Sequence, residues 1–205
     1  MKFIEVENNL TEFGYGHGWF IKSDKPINQK SYYFEFKLKD KSLYSSGFIG
    51  YLHKNEIENN FDYIEDGYEN IRKIYAPSFV VLSFPEQNQF FIDYNNREEQ
   101  EIIKISSSIT PATVLNSIVG LGIKLNSDKS VNLDVYVNGV LKDSIIKENF
   151  DDFDFNNLYI ATFHSWNHNN QTAQYYFEKD LKYQNIASKY NKKFILFESG
   201  GGCIK

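Results

Sequence analysis

The stretch from Val119 to Leu141, VGLGIKLNSDKSVNLDVYVNGVL, constrains the fold more than any other part of the chain. Val119, Leu121, Ile123 and Leu125 recur at every second position, as do Leu133, Val135 and Val137, so each run has one apolar face at the period of a β-strand. Lys124, Asp134 and Tyr136 fall on the opposite face. Polar residues separate the two runs, which makes the pair a β-hairpin. Asn138-Gly139 tolerates the positive φ angles of a tight turn, so the chain is expected to reverse again into Val140-Leu141.

The same alternation recurs on both sides. Ser31 to Lys39 places Tyr32, Phe34, Phe36 and Leu38 on one face, and Gly47 to Leu52 reads as the next strand, antiparallel to it. Further strands are expected at Lys2 to Val6, Phe79 to Phe84, Gln89 to Tyr94, Glu101 to Ile105, Leu158 to Phe163, Gln174 to Glu178 and Lys193 to Phe197, the last pairing with the N-terminal one. Gly14 to Gly18 reads as a turn or bulge ahead of Trp19. Helix is confined to one turn from Thr110-Pro111 through Leu115 and a short segment within Leu181 to Lys192. The 18 Phe and 15 Tyr favour strands. The expected class is therefore all-β, a two-sheet antiparallel sandwich of jelly-roll type with at most short helices. No Pro/Gly/Ser-rich linker divides the chain, so residues 1–198 are read as a single β-sandwich domain and 199–205 as a flexible C-terminal tail.

Composition narrows the partners. A net charge of −5 without a basic stripe argues against nucleic acid. No apolar run of the roughly 18 residues needed to span a bilayer is present, and MKFIEVENN has no apolar signal core. Membrane insertion is not expected, and the expected location is cytoplasmic or virion-associated. Cys203 is the only cysteine, so no internal disulfide braces the fold. Only Arg72 and Arg97 among the 22 basic residues are arginine, a bias that AT-rich coding imposes.

The chemistry-bearing patterns each fail at a decisive residue. Asp152-Phe-Asp-Phe-Asn156 spaces oxygen ligands as calcium loops do, but Asn157 stands where the loop needs Gly and Phe163 where it needs a bidentate Glu. His164 and His168 have the spacing of zinc ligands on a helix, in a segment that reads as strand end and loop. Gly14 to Gly18 lacks the Lys-Ser/Thr of a phosphate loop, and no GxSxG marks a nucleophile elbow. Glycoside hydrolysis, the enzymatic alternative, needs two facing carboxylates, whereas Glu35 and Glu178 stand alone on their strands. No metal, cofactor or catalytic residue is assigned, and the chain is read as non-enzymatic.

What remains is a contact surface. His53 to Tyr75 breaks the two-residue rhythm over a length that compact domains reserve for functional or disordered loops. Tyr63 and Tyr68, interleaved with Asp62 and Asp66, are candidates for meeting a basic peptide or a sugar face, as is Trp166 in the polar loop from Ser165 to Thr172. Their alternative reading is a solvated cover with the aromatic rings tucked into the core.

The order of these strands resembles that of SPRY (B30.2-like) domains and their wider relatives, the concanavalin A-like jelly rolls, from Ser31 to Glu178. SYYFEFKL resembles the family's early strand and GFIGYL its glycine-containing successor. VGLGIKLNSDKSVNLDVYVNGVL resembles its Asn-Gly hairpin, and LYIATF and QYYFE stand where two later strands fall. Ala161 lacks the family's preceding proline, and Phe177 is followed by Glu where the family has Gly. The resemblance implies two antiparallel sheets with loops at one edge forming a binding surface. The expected function is a non-enzymatic protein-binding module that uses Tyr63, Tyr68, Trp166, Asp62 and Asp66. The alternatives are a structural or attachment protein of a virion or large assembly, and a carbohydrate-binding, lectin-like module.

Overall fold

A computed structural model describes residues 3–6, 19–38, 47–54, 78–84, 89–95, 100–104, 109–110, 114–147, 155–164 and 173–191. Strands β1 (Phe3–Val6), β2 (Trp19–Ser23), β4 (Gly47–His53), β5 (Ser78–Phe84), β6 (Gln89–Asn95), β7 (Gln100–Lys104) and β11 (Leu158–His164) form a seven-stranded sheet in the order β1-β2-β11-β4-β5-β6-β7. Strands β3 (Ser31–Leu38), β8 (Ile118–Leu125), β9 (Val131–Val137), β10 (Val140–Lys147) and β12 (Ala173–Tyr176) form a five-stranded sheet in the order β10-β9-β8-β3-β12. Every pairing in both sheets is antiparallel. The class is the expected two-sheet sandwich, and among the described residues it carries one short helix, α1 (Gln184–Tyr190), and isolated 3-10 turns. Among the described residues no helix is long and apolar enough to cross a membrane.

The β8–β9 hairpin forms in the anticipated register. Val119 lies opposite Val137, Leu121 opposite Val135 and Ile123 opposite Leu133, so their apolar side chains share the inner face. Asn138 and Gly139 both take positive φ, 48° and 77°, the geometry of a type I′ turn whose twist matches that of the flanking strands. The Asn138 carboxamide oxygen also accepts the Ile118 N–H at 2.9 Å, which ties the turn back to the start of β8. The reversal runs further than expected, since β10 continues to Lys147 with a bulge between Leu141 and Asp143.

One expected pairing is corrected. Strands β3 and β4, read as an antiparallel pair, lie in opposite sheets. The flank of β3 is taken by β8, with Phe34 opposite Leu121, while β4 sits between β5 and β11. The physical reason is burial. Phe34 and Phe36 on one strand and Ile49 and Tyr51 on the other are all inner-face residues of one core, and facing each other across the sandwich covers both sets. Phe34 meets the Tyr51 ring edge-to-face with centroids 5.4 Å apart. The Tyr51 hydroxyl is fully buried and donates to the Leu121 carbonyl at 2.8 Å, with the Tyr32 carbonyl at 3.2 Å, pinning one sheet to the other.

The expected strand from Lys193 to Phe197, the glycine segment from Gly14 to Gly18 and the tail 199–205 lie outside the described residues.

Candidate functional site

The outer face of the five-stranded sheet is where polar side chains converge. Gly120 and Gly122 on β8 leave a trough there. A Cβ on Gly122 would stand 2.5 Å from the Tyr190 ring, and one on Gly120 would collide with the Tyr33 hydroxyl. Helix α1 lies over this trough, and Ile186, Ala187 and Tyr190 pack with Tyr33, Tyr136 and Tyr176 in a second core cluster. Tyr136, read as solvent-facing from its alternation, is on the outward face but only 6% exposed, because α1 covers it. Tyr33 stacks on Tyr190 at 5.6 Å, and Tyr136 meets both rings edge-on.

Two carboxylates anchor this cluster. Glu35, fully buried on β3, accepts the backbone N–H groups of Lys182 and Tyr183 at 2.6 and 2.9 Å and the Tyr33 hydroxyl at 3.2 Å. It satisfies donors that the segment entering α1 has no side chain of its own to bond, since Tyr183 at the N-cap makes no side-chain cap. Asp134, on β9, accepts the Tyr190 hydroxyl and the Ser144 hydroxyl, and the Tyr190 and Tyr136 hydroxyls lie 2.9 Å apart. The chain of contacts therefore ends on β10.

Electrostatics keep these tyrosines protonated. Burial raises the Tyr33 pKa well above 10, and the charge of Glu35 and the bond to it add to the rise. Burial also raises Tyr190, reinforced by its bond to Asp134, and it raises Tyr136. Engaged neutral phenols and a carboxylate filled by backbone donors hold a helix on a sheet. They offer no activated nucleophile. Among the described residues no group of three or more His, Cys, Asp or Glu is placed to hold a metal ion.

Tyr63, Tyr68, Asp62, Asp66 and Trp166 lie outside the described residues, as do His168 and most of the Asp152 to Asn156 segment. The strands that carry these loops are described. Residues 54–77 join β4 to β5, which are adjacent and antiparallel with Tyr51 opposite Phe79, so the excursion leaves and returns at the His53 end. Trp166 follows β11 past His164, which lies opposite Gly47 at the other end of β4. A seven-residue strand spans about 20 Å. The two loops are thus rooted at opposite ends of the sheet.

Sequence reasoning reached β10 only at Val140-Leu141 and missed its continuation to Lys147. Val140, Leu141 and Ile146 are the exposed large apolar residues among those described, at 56, 50 and 59%. VLKDSIIK does not alternate, because the bulge after Leu141 shifts the pleat by one residue, so no strand period announced it.

No family model matches the chain, and no curated protein matches it. Solved structures do. The VIP36 exoplasmic/lumenal domain, in its Ca2+/Man3GlcNAc-bound form, aligns with a TM-score of 0.50 at 10% identity, over 85% of this chain and 78% of that one. A legume lectin-like domain from Entamoeba histolytica aligns at 0.47 with 14% identity, over 85% and 83%. A human SPRY domain aligns at 0.46 with 16% identity, over 80% and 85%. The likeness is one of fold, the jelly-roll sandwich that the strand order implied.

Proposed function

We propose that the chain is a non-enzymatic protein-binding module whose partner meets the segment 54–77 through Tyr63, Tyr68, Asp62 and Asp66, with Trp166 as a separate anchor at the far end of the seven-stranded sheet. One observation carries this reading. Strands β4 and β5 are neighbours that a turn of about 2–5 residues suffices to join, yet the chain spends residues 54–77 on the connection. Long connections on a rigid sandwich are where binding residues concentrate. Tyrosines supply contact area at low entropic cost, and the flanking aspartates favour a basic partner segment.

The test is an affinity capture of the full chain from lysate of its own source, with cross-linking mass spectrometry, run beside two variants. One replaces Asp62, Tyr63, Asp66 and Tyr68 together with alanine, and the other is Trp166→Ala. A protein cross-linked to Lys54 or Lys73 in the wild type and lost in the quadruple variant supports the reading. Capture unchanged in both variants overturns the assignment. Binding to a glycan array that the same substitutions abolish, with no protein captured, replaces it with the carbohydrate reading.

A further inference from the structure

We infer that Asn138 is a site of self-modification, where the side-chain amide is lost and the residue becomes aspartate or isoaspartate at a rate set by its clamp on the start of β8. The fold itself imposes the reactive pair. Gly139 takes a φ of 77°, which side chains rarely adopt, and a Cβ there would stand 2.5 Å from the Tyr183 ring, so the position has to be glycine. Asn138 before it is exposed and takes a φ of 48°, which asparagine tolerates.

The chemistry needs only these two residues and water. The Gly139 nitrogen gives up its proton and attacks the Asn138 side-chain carbonyl carbon. The new N–C bond closes a succinimide ring as the bond from that carbon to Nδ2 breaks, and the departing nitrogen takes a proton and leaves as ammonia. Water then opens the ring. Addition at the side-chain carbonyl gives aspartate, and addition at the main-chain carbonyl gives isoaspartate, in which the main chain runs through the former side chain. Glycine has no side chain to hinder the attack. Gly139 also lies in the turn, outside the ladder that pairs Val137 with Val140.

In the folded chain the carboxamide is held. Its oxygen accepts the Ile118 N–H at 2.9 Å, its nitrogen donates to the Ser117 hydroxyl at 3.2 Å, and the Asn138 N–H donates to the Ile118 carbonyl at 2.8 Å. The bond made by Nδ2 has to break for ammonia to leave, so the reaction proceeds through openings of the clamp and runs more slowly than in an unfolded chain. The two products then part ways. Aspartate keeps the oxygen that accepts the Ile118 N–H, and Asp-Gly serves the same type of turn. Isoaspartate adds one carbon to the main chain between the paired Val137 and Val140. Turn length fixes hairpin register, so β10 then loses its register on β9. Conversion to isoaspartate is thus a one-way release of the edge strand.

The experiment incubates the full chain at neutral pH, folded and in unfolding urea, and follows each asparagine by peptide mass spectrometry and by enzymatic methyl transfer to isoaspartate. The folded wild type is expected to convert at Asn138, more slowly than in urea. Ser117→Ala removes the acceptor of Nδ2 and is expected to raise the folded rate about fivefold, the worth of one exposed hydrogen bond, while leaving the rate in urea unchanged. Ser117→Thr, which keeps a hydroxyl, is expected to hold the wild-type rate. Asn138→Asp, the first product, is expected to keep the circular dichroism spectrum of the wild type. An Asn138 that stays intact in the folded chain while converting in urea overturns the site. Equal rates with and without urea, or a folded Ser117→Ala that converts no faster than the wild type, overturn the clamp.

Discussion

The two edges of the five-stranded sheet are treated in opposite ways. Strand β12 covers β3 only from Glu35 to Leu38, which leaves the edge bare toward Ser31. The chain returns to close it with side chains. The Asn191 carboxamide accepts the Tyr33 N–H at 2.9 Å and donates to the Tyr33 carbonyl at 3.4 Å, standing in for the peptide group of a missing strand, and Ser31 donates to the Tyr190 carbonyl at 2.6 Å. At the β10 edge the corresponding positions carry exposed Leu141 and Ile146. An edge sealed by buried polar groups serves the fold, because unpaired backbone groups in a dry site are costly. The β10 edge keeps apolar residues in water instead, so its side chains add little to the fold.

The largest effect is expected beside the sealed edge, where Glu35 holds the chain that leads into α1. Glu35→Ala leaves two partly buried backbone N–H groups and the buried Tyr33 hydroxyl without the acceptor that the fully buried Glu35 supplies. At about 1–3 kcal/mol for each orphaned donor, and with partial relaxation, the loss in urea unfolding is expected to be about 3–5 kcal/mol. An unchanged midpoint would show that water reaches these donors. Gly122→Ala, which drives a methyl group into the Tyr190 ring, is expected to cost about 1–3 kcal/mol by overpacking. Asn191→Ala removes the strand mimic alone, for about 1–2 kcal/mol, and hydrogen exchange at the Tyr33 amide should quicken in parallel.

The tyrosine cluster sharpens the same contrast through pH. The pKa values of Tyr33, Tyr136 and Tyr190 are raised in the folded state above the ordinary value of 10, chiefly by burial. A group whose folded pKa is raised binds its proton more tightly when folded. Its contribution is complete below pH 10 and falls as pH climbs above 10 toward the folded values. Phenolate absorbance is therefore expected to rise in two phases, the exposed tyrosines first and the buried ones together with loss of circular dichroism. A single non-cooperative titration near pH 10 would place the cluster in solvent.

How much of this was legible in the sequence depended on whether the signal was local. The β8–β9 hairpin declared itself through alternation and the β9–β10 reversal through Asn138-Gly139, both properties of adjacent residues. The antiparallel pairing of β3 with β4 was an inference from sequence order. It failed because the sandwich places consecutive strands in opposite sheets, and only the facing of Phe34 and Tyr51 across the core records that. Glu35 read as a lone carboxylate, since its donors at Lys182 and Tyr183 are remote in sequence. Tyr136 read as outward-facing because alternation gives a residue's face and not what later covers it. The part of β10 past Leu141 stayed hidden behind its bulge. Of the contact residues chosen from the sequence, only the strands that carry their loops are described, and those root the 54–77 segment and the segment after His164 at opposite ends of the sheet.

The smallest effect is expected on the open edge. Ile146→Ser removes an apolar side chain that is already 59% exposed, so the folded single chain loses little and the unfolding free energy should move by no more than about 0.5 kcal/mol. The neighbouring Ile145, one residue earlier on the same strand, is 8% exposed and packs in the main core, so Ile145→Ala is the contrasting control. A loss in Ile146→Ser approaching that of Ile145→Ala would mean that Ile146 stabilises the fold, and the two edges would then differ in degree and not in kind.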